Sequence, residues 1–296
     1  MHLSGSITAL ATPFTAAGEL DLNAWRQHLE TQLAAGTSAV VVAGSTGEAA
    51  TLSDREYALL IETAVAQVGG RVPVLAGSGQ PGTAKTIAQT RLARDSGADV
   101  ALVVTPPYVR PTQAGLVAHY LAVAEHGGLP VVLYNVPGRT GCDLLPETVA
   151  ELCGHPDIVG LKEARGDEAR WNALYPFAGE QFALLSGDDP TFVRAIRGGA
   201  AGVISVASNV VPRAFAGICR LLASGKVAQA QALDQRLQEL YDFLGVEPNP
   251  IPIKALLHGL GLGTGLRLPL LPLSAAFADR AGANVRFCRE IETQLQ

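Results

Sequence analysis

The chain has 22 lysine and arginine residues, but only four are lysines. Lys85, Lys226 and Lys254 fall in segments expected to be helical or to start helices, where lysine is ordinary. Lys162 instead closes an apolar run, Asp157-Ile-Val-Gly-Leu-Lys162. A strand end in a covered sheet is a costly place for a charge. Desolvation favours the neutral form of an amine, and a neutral amine can attack a carbonyl. Lys162 is therefore a candidate Schiff-base nucleophile. The alternative is a structural lysine paired with Glu163 or another acid.

Other polar groups sit at the ends of similar apolar runs. Gly44-Ser45-Thr46-Gly47-Glu48 follows one, Thr105-Pro-Pro-Tyr108 another, and Tyr134-Asn-Val-Pro-Gly-Arg139-Thr-Gly141 a third. Gly187-Asp-Asp189 follows a fourth. Gly44–Glu48 is either a plain turn or a cradle of amides and hydroxyls for a small anion. It lacks the G-K-[ST] of a phosphate loop, so a carboxylate is the expected guest. Tyr108 and Tyr134 read singly as packing residues, and Arg139 as part of a surface turn. Beside a strand-end lysine, acid–base and carboxylate-binding roles become plausible. Gly77-Ser-Gly79-Gln-Pro-Gly82 matches G-x-G-x-x-G and raises a nicotinamide oxidoreductase as a rival. That fingerprint wants an acid at the end of the next strand, which here ends Val103-Val104-Thr105.

These segments must be positioned by a repeated unit. Expected strands are Gly5–Leu10, Ala39–Ala43, Val72–Ala76, Val100–Val104, Pro130–Tyr134, Ile158–Lys162, Phe182–Ser186 and Gly202–Val206. Segments with helical apolar spacing lie between them, such as Leu20–Ala35, Asp54–Val68 and Thr83–Ser96. Ser53 and Glu56 suit a capping box, and Gly36 and Gly97 suit helix C-termini. Continuous Val/Ile/Leu runs indicate a parallel sheet covered on its faces. Eight even βα units favour a closed (β/α)₈ TIM barrel, class α/β, over a doubly wound open sheet. In a barrel the C-terminal strand ends share one mouth, which brings the four polar segments together. Strand patterns stop near residue 225. Lys226–Leu244, Ile251–Leu260 and Ser274–Leu295 read as helices. We therefore expect a catalytic barrel over 1–224 and a C-terminal helical extension over 225–296, packed on it.

Composition excludes several classes. The 296 residues are 48% hydrophobic and 17% charged, with net charge −5. Disorder and a generally basic nucleic-acid binder are both excluded on these grounds. No apolar run reaches the ~18 residues of a membrane helix. The start, MHLSGSITALATPF, has no basic leader pattern. A cytoplasmic protein is expected. Cysteines 142, 153, 219 and 288 show no C-x-x-C spacing and read as buried apolar thiols. Histidines 2, 28, 119, 126, 155 and 258 form no metal-ligand pattern, so no metal is expected.

Gly44–Glu48, Tyr134–Gly141, Val159-Gly-Leu-Lys-Glu-Ala164 and Asn249-Pro-Ile-Pro-Ile-Lys-Ala-Leu256 together resemble the dihydrodipicolinate synthase / N-acetylneuraminate lyase family. The resemblance covers most of the chain, and the combination is more specific than any one motif. It implies a class I aldolase in which Lys162 forms an imine with pyruvate. The derived enamine would attack aspartate semialdehyde, giving 4-hydroxy-tetrahydrodipicolinate for lysine and diaminopimelate biosynthesis. It further implies that Tyr134 is the general acid/base and that Ser45 and Tyr108 relay protons, with Tyr108 contributed across a tight dimer interface. Ser45 and Thr46 would hold the pyruvate carboxylate and Arg139 that of the aldehyde, with Gly187 and Ile204 also against substrate. No cofactor is implied, and the implied assembly is a homotetramer, a dimer of tight dimers.

Two departures matter. The synthase branch carries threonine where this chain has Ser45, and G-S-T-G-E is the form typical of sialate lyases. The alternative activity is thus a pyruvate-releasing lyase of N-acetylneuraminate or another 2-oxo-3-deoxy sugar acid. Arg139 argues for the synthase branch, because sialate lyases lack a matching arginine. A non-catalytic pyruvate sensor would not require the Tyr134 relay. Where lysine-sensitive members bind lysine, this chain has Asp54 or Tyr57, Pro81, Lys85 and Pro107. Weak or absent lysine inhibition is therefore expected.

Overall fold

Eight short parallel strands pair in sequence order, and β1 closes on β8. They are β1 (Gly5–Ala9), β2 (Ala39–Val42), β3 (Val74–Gly77), β4 (Val100–Val104), β5 (Val131–Asn135), β6 (Ile158–Glu163), β7 (Ala183–Ser186) and β8 (Gly202–Ser205). This is a (β/α)₈ TIM barrel, seen in a computed structural model that describes residues 3–296. Met1 and His2, the first positions of the expected barrel segment and one of the six histidines, lie outside the described residues.

Helices wrap the barrel between strands: α1 (Leu22–Ala35), α2 (Asp54–Val68), α3 (Thr83–Asp95), α4 (Gln113–Gly127), α5 (Pro137–Thr140), α6 (Pro146–Leu152), α7 (Glu168–Leu174), α8 (Phe192–Gly198) and α9 (Pro212–Ala223). Four more follow as the C-terminal extension: α10 (Val227–Gln235), α11 (Gln238–Leu244), α12 (Ile251–Gly259) and α13 (Ala278–Gln294). The expected capping box at Ser53 and Glu56 starts α2, and Gly36 ends α1 in a left-handed conformation. Gly97 sits one residue past the cap of α3, which is Ser96.

The boundaries differ from expectation where hydrogen bonds require it. β3 starts at Val74 rather than Val72, because Pro73 has no amide hydrogen to place in the ladder. β6 runs on to Glu163, which pairs in register with Asn135. The single helix expected over Lys226–Leu244 is broken. At the break the amides of Arg236 and Leu237 bond three residues back, to Leu233 and Asp234, instead of four.

Strand side chains alternate between two cores. Inward residues such as Ile7, Val41, Leu75, Leu102, Val132, Leu185 and Ile204 fill the barrel. Outward residues such as Val40, Val103, Leu133 and Leu161 pack under the helices. The extension shares a third cluster with α8 and α9, where Phe192 stacks on Phe215 at 4.9 Å and Tyr241 meets Phe215 edge-on. Of the cysteines, 142, 219 and 288 are buried as expected and Cys153 is half-buried. Among the described residues no helix is long and apolar enough to cross a membrane.

Candidate active site

Inward pointing at the C-terminal end of β6 gives Lys162 its place. It pairs in register with Tyr134 on β5 and Leu185 on β7. Its side chain is buried, and Nζ lies 4.3 Å from the centre of the Tyr134 ring. The next residue, Glu163, points outward and bonds to Asn135, so the pairing of Lys162 with Glu163 is not formed. Among the described residues no carboxylate lies within 4.0 Å of the Lys162 amine. The amine instead meets an aromatic face and an open cavity.

That cavity, of about 220 Å³, opens at the barrel mouth. Its wall includes Ser45, Thr46, Tyr134, Arg139, Lys162 and Gly187. Gly187 has a steric reason to lack a side chain. A Cβ there would stand 2.7 Å from Lys162 Cε and 3.2 Å from the Ala164 methyl. The glycine is the gap through which Lys162 reaches the cavity.

The loop after β2 is a tight turn. Gly47 and Ala49 amides bond to the Gly44 carbonyl, and the Glu48 amide to Ser45. The amides of Ser45 and Thr46 make no hydrogen bond among the described residues and remain available to an anion. Ala43 and Glu48 hold positive φ, at 52° and 53°. Such strain persists only where surroundings enforce it. Here the enforcement comes from the far end of the chain. The Glu48 carboxylate accepts from Lys254 on α12 and from the Arg267 amide at 3.0 Å. Lys254 is therefore not the ordinary helical lysine its sequence position suggested. It is buried, with Nζ 4.3 Å from the Phe14 ring centre, and burial pulls its pKa below the usual lysine range despite Glu48.

Asn249, just before α12, lines the same cavity. Its Nδ2 donates to Thr46 Oγ1 at 3.0 Å, and its carbonyl accepts from Arg139 Nη2 at 3.1 Å. One residue of the extension thus touches both expected carboxylate-binding positions. Asn249 opens the N-P-I-P-x-K motif, which is the sequence signal for this contact. The α5 turn presents Arg139 at an exposed rim position and anchors the neighbouring loop through Tyr108 N and the Thr140 carbonyl, 3.0 Å apart.

Two expected residues are not brought to this cavity. Tyr108 is 94% exposed, held at φ 73°, with Val109 beside it also exposed. Ile204 lies deeper, fully buried in the barrel interior, while Val206 lines the wall in its place. Asp189 stands behind the mouth. Its Oδ2 accepts from the amides of Val206 and Ala207, and burial pushes its carboxyl up to about 6. The Gly77–Gly82 motif has a packing explanation. A Cβ on Gly77 would be 2.3 Å from the Ala43 carbonyl oxygen, and one on Gly79 2.6 Å from the Val104 nitrogen. Among the described residues no three His, Cys, Asp or Glu side chains cluster as a metal site.

A buried amine free of acid partners, a tyrosine ring beside it and carboxylate-binding donors opposite can form and protonate an imine of a small oxo acid. The model of the dihydrodipicolinate synthetase family matches residues 2–286. A 4-hydroxy-tetrahydrodipicolinate synthase of Xanthomonas axonopodis pv. citri (strain 306) is 64% identical over 287 residues, 96% of this chain and 95% of that relative. The crystal structure of a chloride-inhibited dihydrodipicolinate synthase from Acinetobacter baumannii, complexed with pyruvate, has a TM-score of 0.94 at 40% identity, covering 97% of this chain and 99% of its own. A structure described as the first monomeric dihydrodipicolinate synthase variant has a TM-score of 0.94 at 37% identity, covering 98% and 97%.

Proposed function

The chain belongs to the dihydrodipicolinate synthetase family, and we propose that Lys162 is the amine on which its reaction runs. The protein is a lyase of the class I aldolase type. It condenses pyruvate with aspartate semialdehyde to 4-hydroxy-tetrahydrodipicolinate, on the path to diaminopimelate and lysine. The observation that carries the assignment of Lys162 is its burial at the cavity head without an acid partner.

Lys162 Nζ adds to the pyruvate carbonyl carbon, and water leaves to give a protonated imine. The imine draws electrons, so a methyl proton is lost and an enamine forms. The enamine carbon bonds to the aldehyde carbon of the second substrate, whose oxygen takes up a proton. The substrate amine then adds to the imine carbon, closes the ring and releases the Lys162 amine. Tyr134 carries the protons at each step, because its ring already lies against Nζ. Ser45 and Thr46 hold the pyruvate carboxylate and Arg139 that of the aldehyde substrate. Gly187 keeps the path of Lys162 open, and Ile204 supports the pocket floor. No cofactor takes part, because the lysine supplies the electrophile.

Tyr108 completes the relay from a second copy of the chain. Its near-complete exposure on a strained loop supports this reading. The assembly is a homotetramer built from two tight dimers. The barrel over 1–224 carries the chemistry, and the extension over 225–296 braces its mouth. The protein works in the cytoplasm, a reading supported by four free cysteines.

The test is borohydride reduction with pyruvate present. The expected result is one reduced pyruvate adduct on the peptide that holds Lys162. No mass gain there rejects the assignment. A coupled assay with aspartate semialdehyde and the downstream NADPH-dependent reductase then measures turnover.

A further inference from the structure

Behind Lys162 and Tyr134, on the outer face of the barrel wall, lies a polar cluster that the reaction does not use. Strand alternation creates it. Tyr134 and Lys162 are paired in register and point inward, so their successors Asn135 and Glu163 are paired and point outward. Both are fully buried. Much of this face is valine, leucine and alanine under the helices, and a separate uncharged polar group lies at β1 and β8, where Thr8 bonds to Gln32 and Ser205 to the Ser208 amide.

The cluster is fully specified. Asn135 Oδ1 accepts from the Leu144 amide at 2.9 Å, which fixes the amide's orientation. Its Nδ2 then donates to Glu163 at 3.0 Å and 3.2 Å and to Asp143 Oδ1 at 2.8 Å. Glu163 Oε1 also accepts from the Arg165 amide at 2.8 Å. Arg170 stands 3.8 Å from Glu163 Oε2 and bonds to the Leu144 carbonyl at 2.8 Å. Asp143 is held by the side chains of Arg165 and Arg170. Two acids, two arginines and one amide thus join β5, β6, α7 and the segment after α5. Burying such charges gives little net stability compared with an apolar wall. What it does give is a unique geometry for the two strands.

We propose that Asn135 and Glu163 are positioning residues, a clamp on the outside of β5 and β6 that sets the spacing of Tyr134 and Lys162 within. This rests on the reading of Lys162 and Tyr134 as the reacting pair. Each clamp residue is the immediate chain neighbour of a reacting residue, so a lateral slip of one strand moves both groups together. Proton transfer between an imine and a phenol is sensitive to such a slip, since an ångström of misplacement can cost ~100-fold in rate.

The experiment uses the full-length Asn135→Ala and Glu163→Gln variants. Active sites are counted from the fraction of chains that borohydride traps with pyruvate. The clamp predicts kcat per trapped site lower by roughly 30-fold for Asn135→Ala, with pyruvate KM within about threefold of wild type. Glu163→Gln keeps an oxygen for Asn135 and loses less, roughly fivefold. A purely structural cluster would lower melting temperature and the trapped fraction while leaving kcat per trapped site within about twofold. That result in both variants, or in whichever one folds, overturns the proposal. Failure of the wild type to trap pyruvate would overturn instead the assignment of Lys162.

Discussion

Glu48 and Lys254 are joined in a buried ion pair across 206 positions of the chain. Glu48 ends the loop that carries Ser45 and Thr46, and Lys254 belongs to α12 of the C-terminal extension. The extension therefore reaches the site through an electrostatic tether rather than through apolar packing alone. Loss of one partner leaves the other charge buried and unpaired, which costs about 3–5 kcal/mol. Lys254→Met is expected to lower stability by an amount of that order and to raise pyruvate KM, as the positive φ at Glu48 relaxes and the loop drifts. Thermal unfolding and a pyruvate titration check both effects. Stability and KM both unchanged would mean the tether does not hold the loop.

Gly187 and Lys162 give a sharper test of geometry. In Gly187→Ala the new methyl would stand 2.7 Å from Lys162 Cε, closer than any carbon contact tolerates. The lysine must leave the position it holds here, and with it the approach of Nζ to the cavity. We expect an intact fold, slower borohydride trapping of pyruvate and kcat lower by ~100-fold. Wild-type trapping rates in the alanine variant would show that the lysine side chain adapts freely.

Much of this was legible because the signals are local. Valine-rich runs at regular spacing point to the barrel, Ser53 and Glu56 to a helix start, and a lysine ending an apolar strand to a buried amine at the cavity. What escaped depends on contacts distant in sequence. Nothing in the helical pattern of Ile251–Leu260 tells that Lys254 faces a buried glutamate. Asn135 and Glu163 look like ordinary strand-end polar residues until the register puts them side by side. Asn249 was visible only as part of a motif, and its contacts to Thr46 and Arg139 require the extension to fold back over the mouth. Strand-end spacing and resemblance both put Tyr108 in the site, and resemblance alone puts Ile204 there. One is on the surface, exposed on its loop, and the other is a layer too deep to line the cavity.

Arg139 is the residue proposed to take the carboxylate of the aldehyde substrate and not that of pyruvate. It stands at the rim, with Nη2 on the backbone carbonyl of Asn249 and no other hydrogen bond from the guanidinium among the described residues. A charge-assisted hydrogen bond is worth ~1.5–3 kcal/mol, or roughly 10- to 150-fold in affinity. Arg139→Ala is expected to raise the KM for aspartate semialdehyde within that range while pyruvate KM changes little. Steady-state kinetics with each substrate varied in turn provides the check. Equal effects on both would place the arginine on pyruvate instead.

Lysine is expected to inhibit weakly or not at all. Lys85 is exposed on α3 and would repel an incoming ammonium group, while Pro81 and Pro107 have no side-chain donor. Tyr57, one of the two positions considered for a fourth ligand, is buried among core side chains and does not reach the surface. Initial rates across a lysine titration measure this, and half-maximal inhibition below about 1 mM would sink the idea.

Stability should fall in mild acid because of His28. Its Nε2 lies 2.9 Å from Asn209 Oδ1. That oxygen is fixed as an acceptor, since it also takes the Ala11 amide while Asn209 Nδ2 donates to the carbonyls of Ala9 and Val206. His28 therefore donates from Nε2, and its buried Nδ1 has no partner among the described residues. Protonating Nδ1 would place a charge where nothing accepts it. Burial accordingly lowers the pKa from 6.5 to about 4, against a smaller opposing effect of Asn209. The unfolded chain takes up this proton below its ordinary value and the folded chain does not. The contribution is thus fully present above about pH 6.5 and is lost as pH falls towards about 4, the loss reaching about 2.5 kcal/mol near pH 4.5. Urea unfolding at about pH 7 and 4.5 should show a smaller pH dependence in His28→Leu than in wild type by roughly that amount. Equal slopes in the two proteins would mean that His28 gains a proton partner on acidification, and that the wall between α1 and the β8 loop rearranges to supply it.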